Sequence, residues 1–328
     1  MQYRKLGKTG LSVSEISLGT WQVGGKWGSG FDDAVADRIL NQAADAGINF
    51  IDTADVYEGG KSEAAVGRLV RSRSEQIYIA TKCGRQLNPH TSEQYTPAAL
   101  RAFVEQSLKN TGLDRLDLIQ LHCPPTEVYH RPEIFQLFDD LRREGKIAHL
   151  GVSVEKIDEA RAALAYPNVE TVQIIINMFR QRPVQEFLPV AEREDIGVIV
   201  RVPLASGLLT GKFSRSTRFS PEDHRNFNRE GQAFDKGETF SGVDYETGLA
   251  AVEALQEKLP DTYPLAAYAL KWLLMQKGIS TVIPGASNAE QLTGNIHAAE
   301  LPDLTDAQLQ HIQAVYDEYI KPLVHDKW

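Results

Sequence analysis

The stretch NFIDTADVYEGGKSEAAVGRLVRSRSEQIYIATKCG, residues 49–84, decides the fold. Two short apolar runs, NFID and IYIATK, flank an amphipathic segment, SEAAVGRLVR, and the runs end in the polar residues Asp52 and Lys82. A strand-like run, a helical period and a second strand-like run make the unit of a parallel sheet. Parallel neighbours need a crossover between them, usually a helix. A third run, DLIQLH, ends in the same way at His122, and Tyr57 lies just past Asp52. Side chains leaving the carboxyl ends of neighbouring parallel strands meet at one mouth, even when far apart in sequence. An Asp, a Lys, a Tyr and a His at such a mouth are the parts of a tyrosine general acid with its tuning partners.

Outward from this stretch the same rhythm predicts eight βα units. EISLG is the first strand, and DDAVADRILNQAADAG is a helix with Val35, Ile39 and Ala43 on one face. Asp32 is expected to cap that helix and Gly47 to close it. Ser62 is expected to cap the second helix. TPAALRAFVEQSLKNTG opens at Thr96-Pro97 and closes at Gly112. Further strands are IAHLGVS, VETVQIII, VIVRVPL and TVIPG, with helices near RPEIFQLFDDLRREG, EKIDEARAALA, PVQEFLPVAEREDIG and NAEQLTGNIHAA. Eight such units in 328 residues predict a single (β/α)8 TIM barrel domain over 1–328, a fold that typically takes ~250 residues. The runner-up, a doubly wound open sheet, lacks its expected GxGxxG after the first strand. Two segments fall outside the rhythm. Residues from about Phe213 to about Tyr245 form a long irregular loop of the lid or binding type, and TDAQLQHIQAVYDEYIKPL predicts an extra C-terminal helix.

The composition narrows the function classes. Hydrophobic residues at 42% and charged residues at 24% are those of a globular protein with a sizeable core. The net charge of -9 argues against a nucleic-acid partner, which needs a basic face. MQYRKLGKTG has no signal-peptide pattern, and no run approaches the ~18 apolar residues of a membrane span. Two cysteines, Cys83 and Cys123, make no disulfide scaffold, so a cytoplasmic location is expected. Pleat alternation predicts that both thiols turn outward, side by side. The remaining histidines have no metal-ligand spacing, and no metal is expected.

The residues themselves predict chemistry. Asp52 and Lys82, ending neighbouring strands, suit a buried ion pair. The ammonium is expected to lower the Tyr57 pKa from about 10 toward the working pH. Tyr57 would then protonate a carbonyl oxygen that His122 orients. The set has no electron source of its own, so a reduction needs a hydride-carrying cofactor. GLLTGKF, with Gly211 and Lys212, and IPGASNAEQL, leading into a helix, are the expected phosphate sites. Trp21 and Trp27 are expected to line the substrate pocket.

The chain resembles the aldo-keto reductase family, on the side of its bacterial oxidoreductases, with potassium-channel β subunits as more distant relatives. The matching segments are SLGTW at 17–21, IDTADVYEGGKSE at 51–63, ATKCG at 80–84, LHCPP at 121–125, GVSV at 151–154 and VQIIIN at 172–177. PLASGLLTGKF at 203–213 and PGASNAEQLTGNI at 284–296 complete the series, in order along nearly the whole chain. The resemblance implies a barrel with an N-terminal β-hairpin and a long cofactor-covering loop. It also implies metal-free hydride transfer from NADPH to an aldehyde or ketone. Asp52, Tyr57, Lys82 and His122 fall on the family's tetrad, with Tyr57 as proton donor. Trp21, Trp27, Tyr57 and His122 would contact the small carbonyl substrate.

For NADPH (NADP+), the resemblance implies contacts from Gly19, Thr20, Trp21 and Asp52 at one side, with Ser153 and Gln173 at the carboxamide. Arg201, Pro203, Leu204, Ser206, Gly207, Leu209, Lys212 and Arg218 would follow strand seven. Gly285, Ser287, Gln291 and Asn295 would take the phosphates and adenosine end. Three departures stand out. Val154 replaces an Asn common after the serine of GVS. Arg201 replaces an aromatic residue, which predicts an anion subsite. Asn288 replaces a basic residue, so Arg218 and Arg225 are expected to cover a 2′-phosphate. Two other readings remain: a cofactor-bound sensor or regulatory subunit with vestigial turnover, and a Schiff-base lyase using Lys82.

Overall fold

The computed structural model describes residues 1–25 and 30–328; Trp27 lies outside the described residues. Eight parallel strands form the sheet: β3 (Leu18–Gly19), β4 (Phe50–Asp52), β5 (Tyr78–Cys83), β6 (Leu116–His122), β7 (Ile147–Ser153), β8 (Val169–Ile175), β9 (Gly197–Arg201) and β10 (Thr281–Val282). They pair in sequence order from β3 to β10. Bridges between Ile16 and Val282 and between Gly19 and Gly285 join the two ends, bringing the sheet round into a barrel. Ahead of them, β1 (Tyr3–Lys5) and β2 (Ser12–Ser14) pair antiparallel as the expected hairpin.

The hairpin fills the amino end of the barrel. Leu6 and Val13 are fully buried and share one apolar cluster with Phe50, Ala80, Leu118, Ile199 and Ile283. Those five come from the barrel strands and the start of the loop after β10, alternating with side chains that face the helices. The alternation then sets the next layer. Two residues above Phe50, Ala80 and Leu118 come Asp52, Lys82 and Gln120, and Lys82 and Gln120 are register partners. His122 pairs with Ser153, and Ser153 with Gln173. The barrel therefore has an apolar floor and a polar upper layer.

The helices follow the predicted signals with instructive exceptions. In α1 (Asp33–Asp45), Asp32 caps Val35 N–H and Gly47 closes the end at φ +89. The cap of α2 (Lys61–Ser72) is Gly60 at φ +87, not Ser62. Ser62 is buried instead, bonded to Thr20 Oγ1 at 2.7 Å and Thr53 Oγ1 at 3.0 Å. In α3 (Pro97–Thr111), Thr96 caps Ala99 N–H and Gly112 takes φ +64. α4 (Pro132–Arg143) and α5 (Ile157–Ala163) lie where expected. The next predicted helix is split into α6 (Arg182–Glu186) and α7 (Leu188–Arg193), because Pro189 cannot donate into the preceding turn.

Beyond β9 the irregular segment contains α8 (His224–Phe227) and several 3-10 turns. Two helices not anticipated, α9 (Tyr245–Lys258) and α10 (Leu265–Leu274), follow it. α10 is buried along most of its length, so it shows no clean polar face to reveal its period. α11 (Ala289–His297) starts at Asn288, whose side chain accepts from Gln291 N–H. The predicted C-terminal helix is α12 (Asp306–Val315), opened by a Thr305–Gln308 capping box; it continues through a π turn into α13 (Lys321–Val324). No helix among the described residues is long and apolar enough to cross a membrane.

Candidate active site

Asp52 is the centre of a buried hydrogen-bonded cluster. Its Oδ1 lies 2.5 Å from Lys82 Nζ, and its Oδ2 accepts from Gln173 Nε2 at 2.7 Å and Gln120 Nε2 at 3.2 Å. Lys82 Nζ also donates to Thr53 O at 2.8 Å and approaches Tyr57 Oη at 3.4 Å. Burial would lower the Lys82 pKa, but Asp52 and Tyr57 outweigh it, so the group stays an ammonium. A Schiff base requires the neutral amine, and this environment withholds it.

Tyr57 reaches the cluster from a tight turn. Glu58, Gly59 and Gly60 all take left-handed φ values, folding the chain back so that the ring stands over the strand ends. A Cβ at Gly60 would lie 2.5 Å from Asn110 Nδ2, so glycine is required there. Lys82 Nζ sits 5.0 Å from the ring centroid. The expectation of a lowered phenol pKa needs correction. Burial pushes Tyr57 upward and Lys82 only partly opposes it, so the phenol is firmly protonated at rest. His122 stands edge-on to Tyr57, with ring centroids 6.2 Å apart. Burial, reinforced by Arg85, Lys82 and Arg201, drives its pKa well down, so the imidazole is neutral. Its Nδ1 has no hydrogen-bond partner among the described residues.

These side chains open into a cavity of about 920 Å³ that runs along the carboxyl ends of the strands to the start of α11. Of the expected contacts, Gly19, Thr20, Trp21, Asp52, Tyr57, His122, Gln173 and Arg201 lie on its wall. So do Pro203, Leu204, Ser206, Gly207, Lys212, Gly285, Gln291 and Asn295. Lys82 is enclosed behind Tyr57 and Asp52. Ser153 and Leu209 are buried off the wall, and Ser287 is bound to Gln291 Oε1 at 3.0 Å. Arg218 points elsewhere, donating to Arg215 O at 3.0 Å, whereas Arg225 does reach the wall. Asp223 holds Arg225 at 2.6 Å, and Phe219 lies 4.7 Å from its guanidinium. The wall also carries Glu290 in the first turn of α11 and Glu300 just past its end.

Arg201 is not an open anion subsite. Glu155 Oε2 lies 2.9 Å from its Nη2 and Glu238 Oε2 lies 3.6 Å from its Nη1. Glu238, from the irregular loop, also pairs with Arg85 at 3.0 Å. The protein's own acidic side chains, an ionised Glu238 and a Glu155 that burial pushes up to about 8, occupy the place foreseen for a substrate anion. The sequence reading missed Arg85, His224, Phe234 and Glu238, all on the cavity wall. Arg85 follows Gly84 just past β5 and was legible by position, but nothing local marks a loop residue such as Glu238.

The cysteines also depart from expectation. Cys83 joins the apolar cluster between strands and helices. Cys123 leaves β6 at φ +46, which turns it inward, 3.5 Å from both Ser153 Oγ and Arg201 Nη2. The two thiols do not share one outward face. Burial pushes Cys123 up to about 12 and raises Cys83 as well, so neither is a ready thiolate.

The sequence pattern of the Aldo/keto reductase family matches residues 15–317. The chain belongs to that family. It is similar to the uncharacterized oxidoreductase YqkF of Bacillus subtilis, with 31% identity over 96% of each chain. The NADH-specific methylglyoxal reductase of Escherichia coli is 29% identical, over 92% of this chain and 94% of its own. Among solved structures, the holo form of aldo-keto reductase AKR11C1 from Bacillus halodurans superposes with a TM-score of 0.77 at 29% identity, covering 100% of this chain and 99% of its own. The (β/α)8 barrel of an oxidoreductase family is therefore established for this chain.

Proposed function

We propose that this protein reduces aldehydes or ketones to alcohols with NADPH, and that Tyr57 is the general acid. The observation that carries the reading is the buried Lys82 ammonium, held between Asp52 Oδ1 at 2.5 Å and Tyr57 Oη at 3.4 Å. A nicotinamide dinucleotide, when bound, supplies the hydride. The cavity fits such a group: it spans from the tetrad to the start of α11, with Lys212 and Arg225 on the way. Those two cations support the 2′-phosphate of NADPH over NADH.

Each tetrad residue has a distinct task. Neutral His122 orients the carbonyl oxygen without presenting a fixed charge. Tyr57 holds a proton on Oη and donates it as the oxygen becomes anionic. Lys82 stabilises the phenolate that remains, and Asp52 keeps Lys82 charged and in place. Trp21, His224 and Phe234 wall the opening, with Trp21 and His224 centroids 5.0 Å apart. That aromatic rim limits water around the transferring proton.

The test is cofactor consumption against a panel of aldehydes and ketones, with Tyr57→Phe alongside. Turnover should fall by about 10²–10⁴-fold in the variant while cofactor affinity holds. Tight cofactor binding without turnover on any carbonyl would instead favour a sensor. Equal affinities for NADPH and NADH by direct titration would remove the cofactor assignment.

A further inference from the structure

Asp55 is a buried carboxyl with no task in this mechanism. It lies two residues before Tyr57 and is 2% exposed, and its amide donates to Lys82 O at 3.4 Å. Neither side-chain oxygen accepts a well-formed hydrogen bond among the described residues, and only the Val56 amide and the Gln86 side chain offer it partial donors. A buried carboxylate so poorly provided with donors is costly, and such a group keeps its proton instead. Its neighbour Glu63, fully buried on α2, is provided for: Thr81 Oγ1 donates at 2.5 Å and Asn110 Nδ2 at 2.7 Å. Of two neighbouring carboxyl groups, the one short of donors is the one that keeps a proton.

The remaining groups that face Asp55 agree with this assignment. Lys82 on β5 is the cation that faces it, and that ammonium is committed to Asp52, Thr53 and Tyr57. Cys83 on β5 and Tyr95, beyond it, offer a thiol and a phenol whose own pKa values are raised by burial and in part by Asp55. Burial and Glu63 together outweigh the Val56 amide, Lys82 and Gln86, and push the Asp55 carboxyl up to about 7.

We propose that Asp55 is a positioning residue for the Lys82–Tyr57 pair: its carboxyl carries a proton in the resting protein, and losing that proton sets an anion beside Lys82 that makes Tyr57 a weaker acid. The inference rests on the reading of Tyr57 as proton donor. No bond but O–H is made or broken, and the released proton goes to solvent. Carbonyl reduction should therefore decline as the pH rises through neutrality, in addition to any change that Tyr57 causes directly.

Asp55→Asn, permanently neutral and nearly the same shape, is the test, read in three ways on the full chain. Isotope-edited infrared spectra of the wild type should show a protonated carboxylic acid at pH 6 that fades above neutrality and is missing in the variant. Folding stability, measured as the difference between wild type and variant, should show the wild type losing up to about tenfold in its folding constant per pH unit from about pH 4 to 7. Turnover of the variant should lack the decline near pH 7. An ionised carboxylate at pH 6 in the infrared, or no difference in the pH dependence of stability, overturns the protonation. A protonated Asp55 with an unchanged pH profile of turnover overturns its role toward Tyr57. A wild type without carbonyl turnover defeats the proposed function and this role together, while the first two measurements still decide the proton.

Discussion

Gln173 donates to Asp52 Oδ2 at 2.7 Å from β8, the strand diametrically across the barrel from Asp52 on β4. The carboxylate that holds Lys82 is thus gripped from across the barrel, and Gln120 adds a second amide at 3.2 Å. Gln173 reaches the cavity wall while its Nε2 serves Asp52.

That grip predicts a stability and activity effect for Gln173→Leu. Asp52 would lose a charge-assisted hydrogen bond in a buried setting, worth about 1.5–3 kcal/mol. Urea denaturation should report a loss of that order, and kcat should fall with it as Lys82 loosens. A variant of full stability with only KM changed would show that Gln173 acts on the ligand alone.

Arg201→Met should be strongly destabilising. It leaves Glu155 and Glu238 facing each other in the interior, with Arg85 on Glu238 and Arg180 beside Glu155 as remaining cations. Breaking a buried pair on one side costs about 3–5 kcal/mol. Adding Glu155→Gln to the variant should restore part of that loss. Because both carboxylates already sit on Arg201, the relative kcat/KM for matched charged and neutral aldehydes should stay the same.

The pH dependence on the acid side should come from histidines. Burial first, then Arg225, lowers His224 to about 4, against a partial pull upward from Asp223. His122 is lowered well below its ordinary value. Between about pH 6.5 and 4 the unfolded chain binds these protons and the folded chain does not. Stability should therefore fall as pH falls through that window, by up to about 1.4 kcal/mol per pH unit for each histidine. His224→Gln should flatten its share; chemical denaturation at pH 7, 6 and 5 checks the slope. Asp55 titrates in the same window with the opposite sign, which is why both residues are compared with wild type rather than read from the wild type alone.

Glu290→Lys should strengthen NADPH binding relative to NADH. Glu290 is exposed on the cavity wall in the first turn of α11. Exchanging its charge there should change the ratio of dissociation constants by about 2–5-fold, the scale of exposed ion pairs. Fluorescence titration with both cofactors gives the ratio directly.

The barrel was legible because its signals are local and repeated: apolar runs that end in polar residues, caps at Asp32 and Thr96, and glycines 47 and 112 at positive φ. The meeting of Asp52, Tyr57, Lys82 and His122 was legible because strand ends in a barrel converge whatever their separation. Ser62 misled because a serine before a helical run normally caps it, yet here Thr20 and Thr53 claim its hydroxyl. α10 was missed because burial on nearly all sides erases the helical period. Glu238 and Phe234 come from a segment whose path depends on contacts across the mouth, such as Ser206 Oγ donating to Glu238 O at 2.9 Å. Cys123 was misplaced because pleat alternation ends where the strand ends, and one residue at φ +46 reverses its direction.

The hairpin that seals the barrel floor divides the chain into chassis and instrument. Leu6 and Val13 pack with residues that never reach the cavity wall, apart from Ile283. Variation in residues 1–14 should thus alter how long the fold survives and leave selectivity alone. A laboratory search for new substrate preferences belongs instead at Arg85, His224 and Phe234, which touch the opening without holding up the floor.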